Sequence, residues 1–196
     1  MNTAYLWLIF ALLVIATVVV IFFASRAVSQ HNRQTREALE QLKRLKSLKD
    51  KYKSVTSEAA LQSEPEELLE GMFAVLEARL EKSEDPEAEF KKLSKNQQGI
   101  YALYCFKEDT ESSLSFFFSN NTRDLINTAR AAINELEYKD FLTWFNTLYD
   151  MYDEDNEQAS LDRDASDSCD RSFAEAFDRA RFFQAVKKYI VSGLTD

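Results

Sequence analysis

The stretch that decides the fold runs from residue 94 to residue 136 and reads SKNQQGIYALYCFKEDTESSLSFFFSNNTRDLINTARAAINEL. It begins with Ser94 and Gln97, which are spaced as in a capping box, where two side chains satisfy backbone N–H groups at a helix N-terminus. A second start signal, Asn121 followed by Asp124, comes later in the stretch. Apolar residues recur at helical spacing after each signal, so the stretch predicts two amphipathic helices. Their predicted buried positions are Ile100, Leu103, Tyr104, Leu125, Ile126, Ala129, Ile133 and Leu136.

The rest of the chain also has the composition of a helical protein. It has 196 residues with only three glycines and two prolines, fewer than the turns of a many-stranded protein require. Ser63 is predicted to cap a further helix, and Asp85-Pro86 is predicted to open another. Apolar faces are also predicted in the run beginning at Tyr138 and from about Arg171 to Gly193. We therefore predict an all-α fold, with one compact acidic domain of about five to six helices over residues 57–196.

The sequence contains few of the motifs and residues that form nucleotide-binding or metal sites. The three glycines are far apart, which excludes a phosphate-binding loop and a dinucleotide fingerprint. One histidine, His31, and two cysteines, Cys105 and Cys169, are too few for a helical di-iron site or for most zinc sites. The acidic run from Asp153 resembles a calcium loop, but Gln158 stands where that loop needs glycine. We predict no cofactor, no metal and no catalysis.

The N-terminus predicts a membrane anchor. Residues 4–24 read AYLWLIFALLVIATVVVIFFA, which contains no charge and is long enough to cross a bilayer as a helix. The preceding residues carry no Lys or Arg, unlike the start of a cleaved signal peptide. Residues 26–53 carry a net charge of +6. Because positive residues stay on the cytoplasmic side, we predict a single-pass protein of the cell (inner) membrane with its N-terminus outside and its C-terminal domain cytoplasmic.

Residues 25–56 predict a basic juxtamembrane helix, since the segment has no glycine or proline. Its leucines step by three and do not maintain a heptad seam, so a coiled-coil dimer is open but not favoured, and the oligomeric state stays unassigned. Its cations suit anionic lipid headgroups. The residues that we expect to contact membrane lipids are Arg26, Arg33, Arg36, Lys43 and Arg44.

The remainder of the chain, residues 54–196, has a net charge of −15. The excess is concentrated in residues 54–89, at −9, and residues 153–170, at −7. Such a surface disfavours direct binding of nucleic acid and favours a basic protein partner. A role in solubility alone would also account for the negative charge. The residues that we expect to meet a partner are Glu64, Glu66, Glu67, Glu70, Asp153, Glu154, Asp155, Asp162 and Asp164.

Residues 97–136, followed after an acidic stretch by FAEAFDRARFFQAVKKYIVSG at 173–193, resemble the C-terminal domain of the acidic DNA-mimic protein family. That family has a turn of the form N-G-G-F-x-Q-F-F-x-N. Here Phe117-Phe118-Ser119-Asn120 keeps its end, while Ser112-Ser113 stands in place of the two glycines. The resemblance implies an all-helical fold and carboxylates that imitate DNA phosphates to occupy a DNA-binding protein.

Two functions follow from these observations. The first is a membrane-anchored, non-enzymatic binding protein whose acidic domain engages a basic, nucleic-acid-binding partner. The alternative is a structural or assembly protein that acts through its anchor and spacer, with the acidic domain as a solubilising body. Replacing residues 4–24 with an unrelated anchor separates the two, because only the second predicts loss of function.

The predicted orientation can be tested by reporter fusions placed after Asp196. A fluorescent reporter that matures only in the cytoplasm should be active, and a phosphatase that folds only outside should be inactive, because the positive flank follows the anchor. A phosphatase active at this position, with a silent fluorescent reporter, would overturn the orientation.

Overall fold

The structure, a computed structural model, describes residues 40, 42–152 and 163–194. All of its regular structure in these ranges is helical, so the prediction of an all-α fold is confirmed there. Helix α1 is described over residues 42–52. The other helices are α2 (Ser57–Gln62), α3 (Pro65–Leu80), α4 (Pro86–Lys91), α5 (Lys95–Thr110), α6 (Leu114–Asn120), α7 (Arg123–Glu135), α8 (Leu142–Met151), α9 (Arg163–Ala176) and α10 (Arg179–Gly193).

The membrane segment predicted at residues 4–24 lies outside the described residues. Among the helices that are described, none combines the length and the apolar character needed to cross a bilayer.

The chain divides into two units, Met1–Arg44 and Leu45–Asp196. In the first unit, residues 40 and 42–44 are described, and they are helical and exposed. We call the second unit the helical domain below. Leu48 and Tyr52 of α1 are buried in its core, with Tyr52 only 2% exposed.

Helix α5 forms the centre of the helical domain, where it packs against α3, α6, α7 and α10. Phe106 on α5 is fully buried. Its ring lies within 6.3 Å, centroid to centroid, of six other phenylalanine rings. These are Phe117, Phe141, Phe145, Phe173, Phe177 and Phe182. The core is therefore a cluster of aromatic rings contributed by most of the helices that follow α5.

Two predicted helix starts are confirmed. Ser94 and Gln97 form the capping box of α5: the Gln97 N–H donates to Ser94 Oγ at 3.2 Å and the Ser94 N–H to Gln97 Oε1 at 3.1 Å. Asp85 caps α4 by accepting from the Ala88 N–H at 3.0 Å. Each side chain satisfies a backbone donor that the helix itself leaves without a partner.

Two other predicted caps are wrong. Ser63 does not cap α3, which has Glu64 at its N-cap with no side-chain bond; the Ser63 hydroxyl donates to Ala59 O at the end of α2. Asn121 does not cap α7, because its amide donates to Asp109 Oδ2 at 2.6 Å and to Phe117 O at 2.8 Å. Each side chain is bonded to residues of earlier helices, and the next helix begins one residue later than the predicted cap implies.

The count of five to six helices is too low for the described part of residues 57–196. Helix α2, capped by Thr56, was not expected. The segment predicted as one helix from about Arg171 is two, α9 and α10, which break at Phe177 and Asp178. The Tyr138 hydroxyl holds this break, since it accepts from the Asp178 N–H at 2.6 Å and donates to Ala176 O at 2.9 Å.

The junction at Ser112 and Ser113 also holds a turn and a new helix start. Ser113 has an extended backbone, with φ −171°, and its hydroxyl accepts from the Phe116 N–H at 3.0 Å to cap α6. No described residue has a positive φ. Since only a positive φ requires glycine, the serines form this turn without strain.

The docking of α1 depends on Gly71 of α3. A Cβ at Gly71 would lie 1.9 Å from Cδ2 of the buried Tyr52 ring. We expect Gly71→Ala to lower the free energy of unfolding by about 1–2 kcal/mol, because the overpacking cost exceeds the gain in helix propensity. In a Tyr52→Ala background the same substitution should stabilise the protein by up to about 1 kcal/mol. Urea denaturation followed by circular dichroism measures both, and an equal effect in the two backgrounds would refute the contact.

Candidate functional site

The predicted acidic patch at the start of α3 is largely engaged within the molecule. Glu66 Oε1 accepts from Arg179 Nη2 of α10 at 2.6 Å and lies 3.8 Å from Lys107 Nζ. Glu67 Oε1 pairs with Lys51 Nζ at 2.5 Å and accepts from the Tyr52 hydroxyl at 3.0 Å. These carboxylates connect α3 to α1, α5 and α10, so they already take part in contacts within the domain.

Lys107 lies at the centre of this network. Its side chain is only 9% exposed, and its Nζ lies 2.5 Å from Glu108 Oε1 and 3.5 Å from Glu111 Oε1. With Glu66 it therefore has three carboxylate neighbours. This arrangement is what a buried ammonium group requires, because an unpaired charge in the interior is strongly unfavourable. We call Glu66, Lys107, Glu108, Glu111 and Arg179 the ion cluster.

The electrostatics of the ion cluster follow from its hydrogen bonds. The bond from Arg179 to Glu66 raises the pKa of the Arg179 guanidinium above its ordinary value. Burial acts to raise the pKa of Glu111, but the hydrogen bond from Arg179 and the nearby charge of Lys107 together bring that pKa below its ordinary value. At neutral pH the Glu111 carboxylate is therefore ionised and held by its cationic partners.

Glu64 and Glu70 complete the predicted patch on α3. Glu64 is exposed, whereas Glu70 is half-buried. In the second predicted patch, Asp153, Glu154, Asp155 and Asp162 lie outside the described residues. Asp164 is exposed in the first turn of α9. The structure therefore brings Glu66 and Glu67 close to basic residues and shows only Asp164 of the second patch.

The residues predicted to contact lipid headgroups lie in the first unit. Arg26, Arg33 and Arg36 are outside the described residues, and Lys43 and Arg44 are exposed on the described part of the α1 helix.

A different set of acidic side chains is more accessible. Glu81, Glu84 and Glu87, around the connection from α3 to α4, are all exposed. No base lies within ion-pair distance of them among the described residues. Their neighbour Asp85 is used as the cap of α4. We call Glu81, Glu84 and Glu87 the acidic turn. Glu81 is the C-cap of α3, Glu84 lies in the connection, and Glu87 lies in the first turn of α4. The Asp85-Pro86 start signal in their midst is the sequence feature that could have singled them out.

The two thiols are poor nucleophiles. Burial raises the pKa of Cys105 to about 12, and the nearby Asp109 carboxylate acts in the same direction. Burial also raises the pKa of Cys169, which lies on α9. A thiol reacts through its thiolate, so both groups are mainly unreactive at neutral pH. Among the described residues, no group of three or more His, Cys, Asp and Glu side chains is placed to hold a metal ion.

The class that the fold defines is an α-helical domain with an aromatic core and an acidic surface. No protein-family model, no curated protein and no solved structure matches the chain. The resemblance to the acidic DNA-mimic family therefore stays a prediction.

The ion cluster can be tested with Lys107→Met. We expect a loss of about 1–3 kcal/mol in the free energy of unfolding at pH 7, below the full cost of breaking a buried pair because the carboxylates are partly exposed. Lys107 contributes to lowering the pKa of Glu111 in the folded protein. The stability that this interaction supplies is fully present above the pKa that Glu111 has in the unfolded chain, and it is lost as the pH falls through the lower pKa of the folded state. The difference in the free energy of unfolding between Lys107→Met and the wild-type protein should therefore become smaller below about pH 4.

Lys92→Met is the matched control. Lys92 is 67% exposed and pairs with Glu89 at 3.1 Å, so its removal should change stability by less than about 0.5 kcal/mol. Chemical denaturation at pH 7 and at about pH 3, below the ordinary pKa of a glutamate, measures both variants. Equal losses for Lys107→Met and Lys92→Met would contradict the role assigned to the ion cluster.

Proposed function

We propose that this protein is a non-enzymatic, membrane-anchored binding protein whose acidic helical domain engages a basic protein at the cytoplasmic face. The observation that supports the proposal is the division of its acidic residues. Glu66 and Glu67 are held by internal bases. Glu81, Glu84 and Glu87 are exposed and have no base at ion-pair distance within the described ranges.

The acidic turn is therefore the preferred contact surface on the described part of the domain. Exposed charges attract an oppositely charged protein over a distance of about 10 Å at moderate salt and mainly accelerate its association. A carboxylate that is already paired with a lysine or arginine contributes less to this field. The proposal accordingly moves the contact from Glu66 and Glu67 to the far end of α3.

The anchor and spacer give the proposal its location. An uncharged segment at residues 4–24 would hold the chain in the membrane, and the +6 spacer would stay with anionic headgroups. A domain of the opposite sign is repelled by the same surface. It would present its carboxylates away from the lipid, toward a basic partner.

The resemblance to the acidic DNA-mimic family supports a narrower version of the proposal. In that version the partner is a DNA-binding protein, and the acidic turn occupies the surface that binds phosphates. Duplex DNA should then compete with the domain for the partner, because both present closely spaced negative charges to the same cations.

The proposal can be tested by affinity capture from a cell lysate with the full chain in a phosphorus-free detergent. We expect proteins of high isoelectric point to bind at about 50 mM salt and to be released at about 500 mM salt or by added duplex DNA. The variant E81Q/E84Q/E87Q should lose most of this binding.

The control for charge alone is E135Q/D150N/E175Q, which removes the same number of exposed acidic groups from α7, α8 and α9. It should retain most of the binding. Equal losses for the two triple variants would reject the acidic turn as the contact surface. Recovery of no basic protein at low salt would reject the proposed function itself.

A further inference from the structure

A surface groove of about 340 Å³ lies beside the acidic turn, formed by residues from the end of α3, from α4, from α5 and from the start of α7. Its apolar lining includes Leu80, Phe90, Tyr101 and Leu125. Leu80 is buried, whereas the other three are half-buried and keep part of their surface accessible. An apolar cavity of about 150 Å³ can hold a benzene ring, so the groove has room for one large side chain.

Contacts within the domain hold the walls of the groove in place. The Phe90 and Tyr101 rings meet edge to face, with their centroids 5.4 Å apart. Arg79 of α3 pairs with Glu89 of α4 at 2.7 Å, and Gln98 Nε2 of α5 donates to Phe90 O at 3.2 Å. A groove that is already formed does not have to be ordered when a ligand binds, which reduces the cost of binding.

The charged side chains around the groove are mainly acidic. Glu87 of α4 and Asp124 of α7 line it, and both are exposed. Across the described ranges, no base lies at ion-pair distance from either carboxylate. Lys91 also lines the groove. However, residues 81–89, which connect two of the lining residues, contain five acidic residues and one base, Lys82. The surroundings of the groove therefore carry a net negative charge.

We propose that this groove, called the α4 groove below, binds a basic segment of the partner protein through one large apolar side chain. An aromatic or leucine side chain of the partner enters beside Phe90, Tyr101 and Leu125. Lysines or arginines on either side of it meet Glu87 and Asp124. Burial of apolar area supplies affinity, and the opposite charges steer and orient the segment. The inference rests on the function proposed above, because it names the kind of segment that the acidic turn would bind.

The test is ¹⁹F NMR of the peptide acetyl-KKXKK-amide, in which X is a fluorinated phenylalanine. The full chain is used in a non-ionic detergent, with the detergent alone as background. We expect the fluorine signal to broaden with the wild-type protein at about 50 mM salt. Unlabelled acetyl-KKFKK-amide should displace this peptide at a concentration roughly tenfold lower than acetyl-KKAKK-amide, because only the first buries a phenyl ring.

Thr122→Trp fills the groove without removing a charge. Thr122 lines the groove, is exposed, and does not cap α7 through its side chain. The variant should weaken binding of the fluorinated peptide by roughly tenfold, because the indole occupies the space of the phenyl ring. Thr143→Trp, at an exposed threonine of α8 that does not line the groove, is the matched control and should bind as wild type does. Circular dichroism shows whether each variant is folded.

Several outcomes would overturn the inference. The α4 groove is rejected if no fluorine signal broadens, if the alanine peptide competes as well as the phenylalanine peptide, or if the two tryptophan variants bind alike. A basic occupant is rejected if acetyl-EEFEE-amide competes as well as acetyl-KKFKK-amide. A second copy of the chain would be the occupant if Thr122→Trp, but not Thr143→Trp, lowers the mass of the protein alone in analytical ultracentrifugation.

Failure of this inference is distinguishable from failure of the proposed function. If E81Q/E84Q/E87Q weakens both lysine peptides equally while Thr122→Trp weakens neither, the α4 groove is rejected and the acidic turn is kept as the contact surface. Recovery of no basic protein from the lysate at low salt rejects the proposed function, whatever the peptides do.

Discussion

The packing of phenylalanine rings around Phe106 is the interaction on which the rest of the helical domain depends. Its ring contacts residues from α6, α8, α9, α10 and the two connections before α8 and α10. Each ring buries a large apolar area and also has a preferred edge or stacking geometry toward its neighbours. One residue of α5 therefore constrains the approach of most later helices. No described Asp or Glu is among the buried residues of this core.

Much of this arrangement could be predicted from the sequence, because its signals are local. The scarcity of glycine and proline predicted the fold class, and Asp85 and Ser94 marked two helix starts through backbone N–H groups only three residues away. Predictions failed where a distant group decided the outcome. Tyr138 holds the break between α9 and α10 across about forty residues of sequence. The burial of Tyr52 likewise depends on the missing side chain of Gly71, which no periodicity within α1 reveals.

In the candidate site, too, local features could be predicted from the sequence and contacts between distant residues could not. The sequence indicates where acidic residues are dense, but it cannot say which of them are paired, since Lys107 and Arg179 reach Glu66 from helices far along the chain. The net charge of −15 over residues 54–196 therefore overstates the negative potential near the start of α3. Pairing within the fold therefore decides which carboxylates remain available to a partner.

The position of α10 near the end of the chain affects how the domain folds during synthesis. It packs against α2, α3 and α5, contributes Phe182 to the core, and lies next to the start of α2 through the bond from Ser57 Oγ to Leu194 O at 3.0 Å. Synthesis runs from the N-terminus to the C-terminus, and contacts between distant parts of a chain form late. The aromatic rings of α5 to α8 must therefore wait for the last described helix before water is fully excluded. During translation, we expect the nascent domain to expose part of this aromatic cluster until α10 has left the ribosome.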